Sequence, residues 1–241
     1  MPLTACGESV ISVETSRADG AVDLESGLLA YLPFDETTAG TLALDVSGND
    51  HHGTPSPNPP TPSLDVPPFG SSNLRSLAFD GVEQLVDLGN PPALDVEGRV
   101  TVSAWVKPSL ADGFRNIVAH GFNASPKQEL ALRINDEVYE FSAWNGFDHR
   151  VTAPVGVAGT GSWRHLAGTY DGRAYRLYLD GELVGLLTEA FAPMRVEASW
   201  AVGGRSTTPP VESRSYAGLI DEVRIYNRPL SDQEVRALAG L

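Results

Sequence analysis

Short alternating stretches that stop at Asp-Gly pairs fill the last third of the chain. SWRHLAGTYDG spans residues 162–172, and YRLYLDGELVG spans residues 175–185. A third stretch, YAGLIDEVRIYNRPLSDQEV, follows at 216–235. Apolar residues that alternate with polar ones and stop at Asp-Gly are typical of antiparallel strands joined by tight turns. The pattern therefore predicts β structure for this part of the chain.

Similar stretches occur from Gly27 onward, for example at 41–47, 84–89, 99–108 and 137–144. Gly, Pro, Asn or Asp interrupts them roughly every 8–15 residues, and no helical pattern separates them. Such spacing favours two antiparallel sheets packed as a sandwich. A chain of 241 residues with 41% hydrophobic residues is long enough to bury the core of one such domain.

The charge balance is strongly acidic. Lysine and arginine together number 17 against 31 aspartates and glutamates, which gives a net charge of −14. A surface of this kind repels phosphate groups, so nucleic acids and anionic membranes are not expected partners. The chain has no run of 18 apolar residues, and no membrane-spanning helix is predicted.

The single cysteine, Cys6, excludes an intrachain disulfide. Residues 3–6 resemble a bacterial lipobox, in which the cysteine is lipidated. Only five residues precede Cys6, too few for a signal peptide, so the alternatives are a start assigned too far downstream or a chance match. Residues 7–26 are polar and lack periodicity, so residues 1–26 are predicted to be a flexible tether, with the domain at 27–241. The lipobox predicts an exported, extracellular or cell-envelope protein whose contact with a membrane is a lipid anchor.

Strand alternation predicts which side chains are buried. Within 101–106, Trp105 is predicted to face away from the side that carries Val102. Within 219–227, strict alternation places Asp221 on the same side as Val223. A carboxylate on an apolar side is costly unless a cation or hydrogen-bond donors compensate it. A cation or several hydrogen-bond donors are therefore predicted beside the Asp221 carboxylate.

Two segments depart from the strand pattern. Residues 54–69 contain seven prolines and are predicted to be an extended surface loop, because proline lacks the N–H that a sheet needs. Near the C-terminus, Ser231 and Glu234 form a capping box, which predicts one short helix at 231–239.

The ordered motifs W-R-H-L-A-G-T-Y-D-G, L-Y-L-D-G and G-L-I-D-E-V-R-I-Y-N-R-P-L-S resemble the LamG-like jelly-roll family of the concanavalin A-like lectin/glucanase superfamily. The segments 28–54, 77–81 and 100–108 are also similar, so the resemblance spans about 28–240. It implies an all-β, two-sheet antiparallel jelly roll with one short C-terminal helix. It further implies an accessory or adhesive module of exported proteins, often one that binds glycans and holds a structural calcium ion.

The resemblance implies that calcium is held by Asp45, by Asn49 in the turn that follows, and by Asp221. The chemistry agrees, because calcium takes six to eight oxygen ligands from carboxylates, amides and carbonyls. The alternative is that backbone N–H groups of the 45–52 turn satisfy Asp221. His51 and His52 are adjacent, so their side chains point apart and their carbonyls are the better candidate ligands.

A turn dense in aromatic and polar groups lies at 143–150. Sugars stack their apolar faces on aromatic rings, while carboxylates, amides and arginine bind their hydroxyls. The candidate ligand contacts are therefore Trp144, Asn145, Asp148 and Arg150, with loop packing as the alternative. Second-rank candidates are Arg224 and Tyr226. The conspicuous residues of the scaffold strands, Trp105, Trp163 and His165, are predicted to be packing residues.

The sequence offers no catalytic pair. Glycosidases need two carboxylates that flank the scissile bond, which on one strand means acids two or four residues apart. Glu137 and Glu140 are three apart, and Asp221 and Glu222 are adjacent, so each pair diverges. No G-x-S-x-G motif occurs either. We expect a non-catalytic module for a glycan or cell-surface ligand; a protein-adhesion domain is the alternative, and a glycoside hydrolase is the third and weakest.

Overall fold

The computed structural model describes residues 22–70, 73–124, 127–153, 159–191, 193, 195–205, 207–208 and 214–241. The predicted lipidation site, Cys6, and residues 1–21 of the predicted tether lie outside them. The described residues form two sheets and one short α-helix, which confirms the predicted fold class. None of their helices is both long enough and apolar enough to cross a membrane.

Sheet I comprises eight strands in the described residues, all paired antiparallel. In chain order they are β1 (Leu28–Leu32), β3 (Thr61–Ser63), β4 (Ser76–Asp80), β6 (Val100–Pro108), β11 (Arg164–Tyr170), β12 (Ala174–Leu179), β13 (Glu182–Thr188) and β16 (Ala217–Tyr226). Their spatial order is β13-β12-β11-β6-β16-β4-β3, and β1 pairs with β16.

Sheet II also comprises eight strands of the described chain. They are β2 (Thr54–Pro55), β5 (Val86–Gly89), β7 (Phe114–Ala124), β8 (Lys127–Asn135), β9 (Val138–Trp144), β10 (Asp148–Thr152), β14 (Trp200–Val202) and β15 (Thr207–Thr208). The order is β10-β9-β8-β7-β14-β5-β2, and β15 pairs with β7 in the parallel direction. A single 3₁₀ turn, Pro92–Leu94, follows β5.

The hydrophobic core lies between the two sheets. Val102 of β6 faces this core as the alternation predicts, and Trp105 is outside it. Large side chains such as Phe141 and Trp200 are completely buried there, and each stabilises the fold by roughly 1.5–3 kcal/mol. The ring of Phe141 lies against Gly168 so closely that no side chain fits at that position. The core therefore fixes the distance between the sheets.

The proline-rich segment is not simply a loop, and that prediction is wrong in part. Pro55 lies in β2 and Pro62 lies in β3, at the last position of each sheet order. An edge strand tolerates proline because its missing N–H can face away from the sheet. The segment therefore closes one edge of both sheets.

The predicted strand at 41–47 is also absent from the described structure, where only an isolated bridge joins Ala43 to Gly53. Side chains take the backbone donors that a neighbouring strand would use. The N–H of Leu44 donates to Glu36 Oε1 at 2.7 Å, and that of Asp45 donates to His52 Nδ1 at 3.0 Å. Local side-chain hydrogen bonds thus replace a sheet ladder here.

A β-bulge interrupts β16. Asp221 pairs with Trp105 and Arg224 pairs with Ser103, so three steps along β16 match two along β6. At the bulge Glu222 has φ 53°, a left-handed conformation uncommon for non-glycine residues. Val223 is therefore in the core while Asp221 lies on the opposite side with Trp105, because the extra residue reverses the alternation. The predicted side of Asp221 is wrong.

The C-terminal helix α1 (Asp232–Leu238) agrees with the capping-box prediction. Ser231 Oγ accepts from the Glu234 N–H, and the Ser231 N–H donates to Glu234 Oε2 at 2.7 Å. Its apolar residues Val235 and Leu238 pack on the outer face of sheet I.

Candidate functional site

The outer face of sheet I is covered by the protein's own side chains. Phe69 stacks on Trp105 with the ring centroids 5.1 Å apart, and α1 covers Tyr178 and Tyr226. His165 lies beside Trp105, with the ring centroids 5.5 Å apart. Burial lowers the pKa of His165 to about 3, so its ring is neutral at physiological pH. These aromatic rings are therefore packed within the protein.

The β9–β10 hairpin brings three of the four predicted ligand contacts together. Asp148 pairs with Trp144 across the hairpin, and Arg150 pairs with Ser142. Since alternate residues share a face, Trp144, Asp148 and Arg150 all lie on the outer side, while Val151 enters the core. Trp144 is half-buried, and the side chains of Asp148 and Arg150 are 42% and 49% exposed.

Asn145, the fourth predicted contact, instead shapes the turn. Its Oδ1 accepts from the Phe147 N–H at 3.1 Å and lies 3.1 Å from His149 Nε2. The neighbouring Gly146 has φ 107°, which a residue with a side chain rarely adopts. Asn145 therefore holds the hairpin in shape, and the prediction of direct ligand contact is not supported by this geometry.

His149 anchors the hairpin from the inner side. His149 lies between Asp148 and Arg150 in the chain, and its side chain is buried. Its ring stacks on Phe191 at a centroid distance of 4.4 Å. Its Nδ1 lies 3.0 Å from Glu189 Oε2, just after β13. The hairpin of sheet II is thus attached to a segment that follows the edge strand of sheet I.

The Asp45 carboxylate is saturated by hydrogen-bond donors. Oδ1 accepts from the N–H groups of Tyr31 at 2.8 Å and Ser47 at 2.9 Å. Oδ2 accepts from Ser47 Oγ at 2.8 Å and the His51 N–H at 2.9 Å. Although burial alone raises the pKa of Asp45, these donors outweigh it and hold that pKa below its usual value. Four donors leave this carboxylate little capacity for a cation.

Asn49 and the two histidines belong to the same turn. Asn49 Nδ2 donates to the carbonyls of Leu28 and Leu29, each at 3.0 Å. His51 Nδ1 lies 2.8 Å from the Leu29 carbonyl, and His52 Nδ1 accepts from the Asp45 N–H. The turn is therefore fixed to β1 by hydrogen bonds, and the saturated carboxylate of Asp45 is a poor fit to the predicted calcium site, while calcium contact by Asn49 stays a prediction.

Asp221 is completely buried, so its charged form needs the compensation that the sequence predicts. Its oxygens accept from Asn73 Nδ2 at 2.8 Å and from the Glu222 N–H at 2.9 Å. Burial raises the pKa of Asp221 to about 8, and the nearby carboxylates of Glu222 and Asp35 act in the same direction. Asn73 Oδ1 is buried and has no partner among the described residues.

The carboxylates of Asp45 and Asp221 accept from different donors and share none of them. Asp45 bonds to its own turn and to β1, whereas Asp221 bonds to Asn73 beside β4. Nowhere in the described chain do three His, Cys, Asp or Glu side chains cluster as metal ligands would.

A family model described as the concanavalin A-like lectin/glucanases superfamily matches residues 80–236. The chain belongs to this family. A comparison with curated protein sequences finds no match.

Several solved structures share this concanavalin A-like fold. Domain 4 of AbnA, an extracellular arabinanase from Geobacillus stearothermophilus in complex with arabinotriose, has a TM-score of 0.68 at 22% identity, covering 88% of this chain and 98% of that one. The binding domain of Paraclostridial Mosquitocidal Protein 1 has a TM-score of 0.65 at 14% identity over 90% of this chain and 52% of that one. The CBM40 of Ruminococcus gnavus IT-sialidase, bound to alpha2,3 sialyllactose, has a TM-score of 0.54 at 17% identity over 62% and 86%.

In this concanavalin A-like domain, the outer face of sheet II also carries a buried ionic network that the sequence analysis missed. Glu129 accepts from three guanidinium groups, those of Arg133 at 3.2 Å, Arg205 at 3.0 Å and Arg214 at 3.1 Å. Arg133 Nε also donates to Glu140 Oε1 at 2.7 Å. Residues 136–137 form the turn between β8 and β9. Recognising this turn in the sequence would have placed Arg133 opposite Glu140 and so predicted the Arg133–Glu140 pair.

The second-rank candidates of the concanavalin A-like domain are engaged inside the protein. Arg224 Nη2 lies 2.7 Å from Glu222 Oε2, and its guanidinium group stacks over the Tyr31 ring at 3.7 Å. Tyr226 is completely buried, and its hydroxyl donates to the Leu24 carbonyl. Their geometry gives no support to the prediction that they contact a ligand.

Glu137 and Glu140, weighed from the sequence as a catalytic pair, are poorly placed for glycoside hydrolysis. Glu137 lies in the exposed hairpin turn with φ 69°, whereas Glu140 is completely buried. Glu129 and Glu140 share a face of sheet II, but both are bound by Arg133. Buried carboxylates held by guanidinium groups are not free to protonate or attack a glycosidic bond.

Proposed function

We propose that this chain is a non-catalytic carbohydrate-binding module whose ligand lies on the outer face of the β9–β10 hairpin. One observation carries the proposal: the hairpin register places Trp144, Asp148 and Arg150 on one open face. The indole offers an apolar surface for a sugar ring, and the two charged groups offer an acceptor and donors for hydroxyls.

The structural neighbours support the ligand class. One was solved with arabinotriose, and another with alpha2,3 sialyllactose. Domains that share the fold thus use it to hold short glycans. The position of the ligand on this chain is argued from the hairpin alone.

The contacts that hold the β9–β10 hairpin in one shape also support the proposal. The turn is fixed by Asn145, and the strand behind it is anchored through His149 to Glu189 and Phe191. A preorganised face loses less entropy when a ligand binds, so even a small contact area gives measurable affinity.

A structural calcium ion remains part of the proposal, on the strength of the family resemblance. Asp221 is the better candidate ligand than Asp45, because burial alone makes its charged form costly and a cation would compensate it. Asp35 and the unpartnered Asn73 Oδ1 would supply further oxygen donors there. Calcium would stiffen the fold and would take no part in sugar contact.

Export is proposed from the sequence alone. Lipidation of Cys6 would anchor the module to a membrane through the 1–26 tether. Mass spectrometry of the protein from its native membrane fraction tests this idea, since lipidation adds acyl chains to Cys6. A soluble, unmodified protein in that cell would contradict it.

Glycan binding to wild type, Trp144→Ala and Trp163→Ala tests the proposed function. Trp163 is a matched control, because it is also half-buried but its Nε1 donates to Asp65 at 2.8 Å, far from the hairpin in sequence. On a glycan array, wild type and Trp163→Ala should bind the same oligosaccharides, and Trp144→Ala should lose about tenfold or more in affinity. Absence of any glycan binding by wild type, or unchanged binding by Trp144→Ala, would overturn the proposal.

A further inference from the structure

We infer that the preferred ligand is an acidic glycan and that Arg150 contacts its carboxylate. This inference rests on the proposed function and narrows its substrate class. The fold neighbours alone do not decide the class, because arabinotriose is neutral while sialyllactose carries a carboxylate. The charged groups around the hairpin of this chain decide it.

Arg150 has donors to offer. Its side chain is 49% exposed, and among the described residues its polar neighbour is Asp148, with Nη1 3.6 Å from Oδ2. That distance is too long for a hydrogen bond. A guanidinium group has five N–H donors in a planar fork that matches a carboxylate, so Arg150 is suited to a bidentate contact.

The neighbouring carboxylates of the network do not compete for Arg150. Glu140 is completely buried and accepts from Arg133 and from Asn135 Nδ2 at 2.8 Å. Glu129 is also buried and is neutralised by its three arginine partners. Among the side chains described on this face of the hairpin and of residues 128–135, the exposed acid is therefore Asp148 and the exposed base is Arg150.

The spacing of the hairpin suits one sugar ring with an acidic substituent. Trp144 pairs directly with Asp148, and Arg150 follows Asp148 by two residues. Arg150 is therefore the diagonal neighbour of Trp144. Diagonal neighbours of an antiparallel pair are about 7–8 Å apart, and their Cβ atoms are somewhat closer. A ring that stacks on Trp144 can therefore extend its carboxylate toward Arg150. Asp148 lies beside the ring, where it accepts sugar hydroxyls and weakly repels the anionic group.

Two matched pairs of glycans test the inference by calorimetry. They are alpha2,3-sialyllactose with lactose, and polygalacturonate with its methyl-esterified form. Within each pair, the two glycans share sugar units, and the first carries the carboxylate charge that the second lacks. Wild type should bind the acidic member about tenfold more tightly, as one charge-assisted contact of roughly 1.5 kcal/mol allows.

Substitutions then assign the preference to Arg150. Arg150→Gln should bring the two members of each pair to within about twofold, while Arg173→Gln, an exposed arginine on the β11–β12 turn, should keep the wild-type ratio. Asp148→Asn should raise affinity for the acidic member by removing the like charge.

The outcomes separate this inference from the proposed function. Equal binding of acidic and neutral members, with loss of both in Trp144→Ala, would overturn the acidic-ligand inference and leave the binding module intact. A preference that survives Arg150→Gln would overturn the assignment to Arg150. Failure to bind any of the four glycans, together with an empty glycan array, would overturn both.

Discussion

Asp148 and Trp144 face each other directly across the β9–β10 hairpin, and this pairing creates the candidate ligand face. Asn145 shapes the turn between them by bonding to Phe147 and His149. The turn thus keeps the strands that carry Trp144 and Asp148 in register.

Asn145→Ala should loosen this hairpin. It removes the acceptor of the Phe147 N–H and leaves His149 Nε2 without its partner, which should lower the free energy of unfolding by about 1 kcal/mol. Glycan affinity should fall as well, because the hairpin that carries Trp144 and Arg150 loses its shape. Urea unfolding measures the change, with Asn58→Ala as the control, since the exposed Asn58 makes only a 3.4 Å bond to Asp80. Equal stability of wild type and Asn145→Ala would contradict the assigned role.

Asp221 should make stability fall with rising pH in calcium-free buffer. Its folded pKa of about 8 lies above its ordinary value of 3.8, so its contribution is fully present below pH 3.8 and is lost as the pH rises toward 8. The shift corresponds to a free energy of about 6 kcal/mol at most. Denaturant unfolding between pH 4 and 9 should show this slope in wild type and a flatter one in Asp221→Asn. Parallel profiles for the two proteins would show that Asp221 ionises normally.

Calcium should distinguish Asp221 from Asp45. If the ion binds at Asp221, calcium should raise the melting temperature of wild type by mass action and should leave Asp221→Asn unchanged. Asp45→Asn should be less stable, because it perturbs four hydrogen bonds, yet should respond to calcium like wild type. No response of wild type would remove the calcium proposal. A response lost in both variants would restore the assignment made from the family resemblance, in which Asp45 and Asp221 share one ion.

Glu140→Gln should be strongly destabilising. It leaves the buried Arg133 guanidinium short of a charge partner, a change that typically costs about 3–5 kcal/mol. Glu182→Gln is the control, because its pair with Arg236 has a similar 2.6 Å distance but is largely exposed and should cost less than about 1 kcal/mol. Similar losses in the free energy of unfolding for both variants would contradict this expectation, because the buried Arg133–Glu140 pair would then contribute no more than an exposed pair.

Much of the fold follows from local sequence pattern. Alternation predicts the buried side of β6, and the capping box predicts α1, because both depend on residues near one another in the chain. The candidate ligand residues follow as well, since Trp144, Asp148 and Arg150 lie within one hairpin.

The features that were missed depend on contacts between distant residues or on a local irregularity. Alternation fails at Asp221, because the bulge centres on Glu222, a residue type that gives no signal for positive φ. The network around Glu129 needs Arg205 and Arg214, which are more than 70 residues away in sequence. The family resemblance assigns Asp45 to calcium, and the local sequence gives no sign that the Tyr31 N–H on β1 bonds to its carboxylate.

An NMR titration tests the central claim most directly. ¹⁵N-labelled protein is titrated with the tightest-binding oligosaccharide from the glycan array, and the perturbed resonances are assigned. The account predicts the largest shifts at the Trp144 indole N–H and at the backbone amides of 148–152. Shifts confined to the outer face of sheet I, around Tyr178 and α1, would contradict it.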